Sequence, residues 1–174
     1  MRTLGIDPGA AHNGWALLSD GALLETGQVN ADGKVEWKRR RQSLLPHLQR
    51  IVKELQPDLV CIEATKTGGG RERNAAAINS QATYTRQTEE LARDIMDFCK
   101  GLGIPAMRCT EGEGKKRLGF RGNESVTDRQ LSERHTLLTG RPLLVKDHHE
   151  ARAYGVALHG QSAWRIEQAK GRVA

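Results

Sequence analysis

The sequence predicts one α/β domain built on a mixed five-stranded sheet, three antiparallel strands and then two parallel ones, with helices on both faces. Three observations predict it. The first thirty residues hold three short apolar runs parted by Asp7-Pro8-Gly9 and Asp20-Gly21, which are turn signals. Beyond them, strand-like and helical patterns alternate, the order that joins parallel strands through helical crossovers. The 174 residues suffice for one sizeable core, since a chain of that size buries roughly 70 % of its unfolded surface.

The elements follow in order. Residues 2–6 read as a buried strand that Pro8 and Gly9 end. Residues 14–19 and 22–30 complete a meander around Asp20-Gly21. Over 35–56, Leu44, Leu45, Leu48, Ile51, Val52 and Leu55 recur at spacings of three and four, which draws one apolar helical face. Pro46 lies within it and should kink the helix or mark its true start. Residues 59–63 form a buried strand with a carboxylate at its C-terminal end, and 64–73 a Gly-rich loop. A long helix over 74–100, a strand over 104–108 and a basic, Gly-rich loop over 111–123 come next. Helices over about 125–138, with Thr127 or Ser125 as N-cap, and 147–159 close the domain, which spans 1–160; residues 161–174 read as a polar tail that frays.

Net charge is +6 and the pI is about 9.5, which favours an anionic partner, nucleic acid first. The cysteines, Cys61, Cys99 and Cys109, are odd in number and lack a C-x-x-C pair. That argues against a disulfide framework or a cysteine zinc site and suits a reducing cytoplasm. No signal peptide is read at the N-terminus. No apolar run approaches the ~20 residues that span a membrane.

Four acids stand out: Asp7, Glu63, Asp147 and Glu150. Asp7 and Glu63 each end a strand, and the crossover between those strands makes them parallel neighbours. Glu is depleted in strands, so Glu63 after an apolar run asks for a reason. Asp147 and Glu150 share a helical face in a first turn, where acids also serve simply as caps. Carboxylates that converge raise one another's pKa unless a hard divalent cation joins them. Two such ions can clamp the attacking and leaving oxygens of a phosphodiester.

Together, Leu4-Gly5-Ile6-Asp7-Pro8-Gly9 with Gly14, Gln56-Pro57-Asp58 with Cys61-Ile62-Glu63, and Asp147-x-x-Glu150-Ala151 resemble the RuvC-type Holliday junction resolvases of the RNase H-like superfamily. The resemblance runs from residue 2 to about 159. It implies an RNase H-like fold, a homodimer, and cutting of a four-way DNA junction with Mg²⁺ or Mn²⁺, two ions per active site, held by Asp7, Glu63, Asp147 and Glu150. The sequence departs from the family pattern at Glu150, where aspartate is usual. It departs again in the loop after Glu63, which carries no aromatic residue to wedge into a junction.

Arg71 and Arg73 in one loop, and Lys115, Lys116, Arg117 and Arg121 in another, are candidate contacts to the DNA backbone. Lys38-Arg39-Arg40-Arg41 reads by default as a solvated helix face. At most one of His148 and His149 faces the acids, and a structural or surface role is the default for both. Two alternatives keep the fold: a nuclease for RNA or other branched DNA, and a junction-binding module that does not cut. The turn at Asp7-Pro8-Gly9 also resembles a phosphate-binding turn of actin-like ATPases, but the chain is too short for their two lobes.

Overall fold

The computed structural model describes residues 1–64, 75–121, 124–144 and 147–171. The elements are β1 (Arg2–Asp7), β2 (His12–Ser19), β3 (Ala22–Asn30), α1 (Trp37–Leu55), β4 (Leu59–Ala64), α2 (Ala75–Gly101), β5 (Ala106–Thr110), α3 (Glu111–Arg117), α4 (Asp128–Thr139) and α5 (His148–Ala169). The sheet order is β3-β2-β1-β4-β5. The first three strands are antiparallel, and β4 and β5 run parallel to β1. The mixed five-stranded sheet expected from sequence is therefore the one observed.

Strand alternation sorts the side chains between two layers. Leu4, Ile6, Leu17, Val60 and Ile62 face α1 and α2, where Leu44, Leu48, Val52, Leu91 and Ile95 complete a core without solvent exposure at most positions. Each fully buried Leu or Ile stabilises the fold by roughly 1.5–3 kcal/mol. On the other face, Ala16 and Leu18 pack against Leu118, Leu131, Ala153, Tyr154 and Ala157 of the remaining helices. The residues of β1 and β4 facing α5 are Thr3, Gly5 and Asp7, and Leu59, Cys61 and Glu63.

Four differences from the sequence expectation have local causes. The supposed loop over 111–123 begins as α3, because Thr110 and Glu113 form a reciprocal capping box that satisfies the first turn. Its Gly content masked that signal. The fourth helix starts at Asp128, so of the two N-caps the sequence offers it is Thr127, in a second capping box with Gln130, and not Ser125 that opens it. Pro46 lies inside α1 and is not its start, since the helix runs from Trp37. The last helix does not fray after 159 but continues to Ala169. Gln161 donates to the Met1 carbonyl at 3.2 Å, and Trp164 packs on a cluster of Leu59, Cys61, Cys109 and Val156. All three cysteines are buried free thiols. Among the described residues no helix is long and apolar enough to cross a membrane.

Candidate active site

The parallel register Ile6↔Ile62 brings the ends of β1 and β4 together. Asp7 and Glu63 follow these paired residues on the α5 side of the sheet. They are 6 % and 8 % exposed and line one cavity of about 230 Å³ with Tyr84, Glu111, His149 and Arg152. A wider groove of about 400 Å³ between β3 and α1 holds Glu25, His47, Arg50 and Glu54. The smaller cavity is the better candidate, because both of its strand-end carboxylates are buried.

The start of α5 lies directly on the sheet. A Cβ at Gly14 would overlap the His149 carbonyl, so only glycine permits this approach. His149 Nδ1 then stands 2.6 Å from Asp7 Oδ2. Its ring stacks on His12 at 6.2 Å and packs against His148 at 4.2 Å. His148 Nε2 is 3.6 Å from Asp128. One histidine of the pair thus faces an acid of the cavity, as the alternation predicts, and it is His149.

Asp147 and Glu150 do not line this cavity. Gln28 Nε2 donates to Asp147 at 2.9 Å and to Glu150 at 3.5 Å. The register explains the direction: Asp7 pairs with Gly14, and Gly14 with Gln28. Gln28 is thus two strands from Asp7, about 10 Å at the usual strand spacing. The first turn of α5 straddles this row, with His149 over Asp7 and the two acids over Gln28. Asp147 sits at the N-cap position without a side-chain capping bond. Among the described residues no three His, Cys, Asp or Glu side chains are grouped closely enough to enclose a metal ion.

Burial, then the charge of Asp7, pushes the Glu63 carboxyl well above its ordinary 4.5, while Arg152 opposes the rise. Two buried carboxylates short of positive charge, with oxygen donors, fit a hard divalent cation. Burial disfavours the Arg152 charge, but Asp7, Glu63, Glu111 and Asp128 outweigh it and raise the guanidinium pKa. Burial, then Asp7, also raises the Tyr84 hydroxyl and keeps it a donor. Sequence reasoning missed Tyr84, Glu111 and Arg152. The one available signal was Arg152, a cation two residues beyond Glu150 and followed by the apolar or small buried residues Ala153, Tyr154, Gly155, Val156 and Ala157.

The basic candidates divide. Arg71 and Arg73 lie outside the described residues. Lys116, Arg117 and Arg121 are exposed, on and just beyond helix α3, not in a flexible loop. Lys115 is 2.6 Å from Glu111 and lines a recess beside Glu63 and Arg152. In the other basic run, Arg40 donates to the Ala10 carbonyl at 2.8 Å and Arg41 clasps Asp94 at 2.6 and 2.7 Å. That run therefore ties helices together as well as meeting solvent.

No protein-family model matches the chain. In sequence it is 38 % identical over 69 residues to the crossover junction endodeoxyribonuclease RuvC of Methylobacterium radiotolerans, a stretch covering 37 % of this chain and 33 % of that protein. The RuvC of Methylorubrum extorquens strain PA1 is 39 % identical over 69 residues, 37 % of this chain and 36 % of its own length. The match thus spans about a third of these relatives. In structure the chain is similar to Thermus thermophilus RuvC, with TM-score 0.67, 18 % identity and coverage of 95 % and 96 % of the two chains. The same protein in complex with a Holliday junction substrate gives TM-score 0.71 at 18 % identity, with the same coverage. The yeast mitochondrial Holliday junction resolvase Ydc2 gives 0.58 at 14 % identity, over 98 % of this chain and 81 % of that one. The chain thus shares the fold of these RuvC structures, the mixed five-stranded α/β fold expected from sequence.

Proposed function

We propose that this chain is a structure-selective endodeoxyribonuclease that resolves four-way DNA junctions by metal-dependent hydrolysis of phosphodiester bonds, acting as a homodimer. The observation that carries the proposal is the buried pair Asp7 and Glu63 on neighbouring parallel strand ends of a RuvC-type fold. Basic charge around α3 supports a polyanionic partner.

Asp7 and Glu63 would hold Mg²⁺ or Mn²⁺; Asp147 and Glu150, bonded to Gln28 and outside this cavity, would join the ligand set only on release from Gln28. The cation supplies Lewis-acid neutralisation of the phosphate and of the attacking and leaving oxygens. His149 fixes the Asp7 carboxylate through its 2.6 Å contact. Gln28 orients Asp147 and Glu150 by donating to both. Tyr84 and Pro8 wall the cavity. Two-fold symmetry suits two symmetric cuts.

A labelled four-way junction, a linear duplex and an RNA duplex, each incubated with Mg²⁺ or Mn²⁺, test this reading. Native protein should cut the junction selectively, and Asp7→Asn and Glu63→Gln should bind it without cutting. An intact junction, or variants that cut equally well, would overturn the proposal. One observation favours a second reading, a nuclease for RNA or other branched DNA: residues 64–73 contain no aromatic side chain. Preferential cutting of the RNA duplex or of a flap would establish it.

A further inference from the structure

Arg152 projects from α5 into the cavity, a quarter exposed, among carboxylates. Its terminal nitrogens lie 3.4 Å from Glu111 and 4.0 Å from Glu63 and Asp128. Only the contact to Glu111 is a hydrogen bond, and a long one. Among the described residues its buried Nε has no hydrogen-bond partner. Arg41 in the same protein closes a bidentate fork on Asp94 at 2.6 and 2.7 Å. Arg152 thus has ample opposite charge and few completed hydrogen bonds. A planar guanidinium with free donors beside a polar cavity is suited to a tetrahedral or planar oxyanion.

From this, and resting on the nuclease reading above, we propose that Arg152 is the phosphate-binding residue of the cavity, parked beside Glu63 and Glu111 until a divalent cation takes its place. With the cation at Asp7 and Glu63, the attraction that holds Arg152 inward is offset. Its unfilled donors then turn to a phosphate oxygen. No bond is made or broken in this exchange; one cation replaces another beside Glu63, and the guanidinium passes to the incoming anion.

The proposal predicts effects of opposite sign. Mn²⁺ titrated alone should bind Arg152→Gln severalfold more tightly than native protein, because a competing cation is gone. A four-way junction in Ca²⁺ should bind the same variant about tenfold more weakly, the expected loss of a charge-assisted hydrogen bond. Arg152→Lys keeps the charge without the fork, and should leave Mn²⁺ binding near native while weakening the junction by an intermediate factor. It carries the test if the glutamine variant does not fold by circular dichroism. A residue that only holds the fold together would weaken both ligands. Weaker or unchanged Mn²⁺ binding in Arg152→Gln, or unchanged junction affinity, overturns the proposal, as does native protein that binds no junction. Neither readout needs cleavage. Native protein that binds but never cuts, with the opposite shifts present, would sink the nuclease reading and leave Arg152 as assigned. Native protein that cuts without those shifts would do the reverse.

Discussion

Glu63 shows how a single buried acid trades stability for chemistry. Its folded pKa is raised by burial and by Asp7, so its contribution to stability is present below about 4.5 and is lost as pH rises through the folded value. At neutral pH without divalent cations the group is therefore a liability. Glu63→Gln should stabilise the metal-free protein by about 0.5–2 kcal/mol, at roughly 2–4 °C of Tm per kcal/mol. Mg²⁺ or Mn²⁺ should raise the Tm of native protein and not of the variant. A variant that melts lower than native would remove this account. His135 carries the opposite dependence. It is 1 % exposed, its Nε2 has no partner among the described residues, and burial, with the Arg141 charge, lowers its pKa against a hydrogen bond at the Arg141 backbone. Its stabilisation is complete above about 6.5 and is lost as pH falls below that toward the depressed folded value. Urea unfolding between pH 7.5 and 5 should show a shallower loss in His135→Gln, the difference being at most about 1.4 kcal/mol per pH unit.

At the level of elements, the site depends on how closely α5 rests on the sheet. Gly5 and Gly14 face it, and a Cβ at either would overlap backbone of α5, at Ala153 and at His149 respectively. Gly14→Ala should therefore lift the first turn, part His149 from Asp7 and cost about 1–3 kcal/mol. Gly33→Ala, with its nearest neighbour 3.9 Å away, is the control. Divalent-ion binding by calorimetry, beside a thermal melt, checks the prediction. Equal ion affinity in the two variants would show that the close approach does not set the site. The capping boxes at Thr110 and Thr127 belong to this scale too. Both were visible as Thr-x-x-Glu and Thr-x-x-Gln; at Thr110 the neighbouring Gly residues suggested a loop instead of a helix.

For the whole molecule, the C-terminal half of α5 closes the structure. Gln161 donates to the Met1 carbonyl at 3.2 Å, Arg165 meets Asp20 at 2.8 Å, and Trp164, like Met1 and Met107, packs on the cluster of Leu59, Cys61, Cys109 and Val156. A chain ending at Gly160, the boundary the sequence suggests, should lose about 2–4 kcal/mol and show a lower urea midpoint. An unchanged midpoint would restore the reading of a dispensable tail. The error has a physical source. Gln161, Ser162, Arg165, Glu167 and Gln168 make the segment polar on average, while the contacts that hold it come from the other end of the chain.

What the sequence by itself determined is the antiparallel meander, the adjacency of the first and fourth strands, the two-sided core and the pairing of Asp7 with Glu63. These follow from alternation, turn residues and one helical crossover, all rules that act over a few residues or a single connection. Which side chains of α5 enter the cavity was decided only by tertiary structure. Asp147 and Glu150 share a helical face, as their spacing requires, but that face lies over Gln28, while His149 and Arg152 meet Asp7, Glu63 and Glu111. The rotation of a helix about its own axis is fixed by contacts with Gly5, Gly14 and Cys61, at least ninety-nine positions earlier in the chain. Periodicity within the helix carries no information about them.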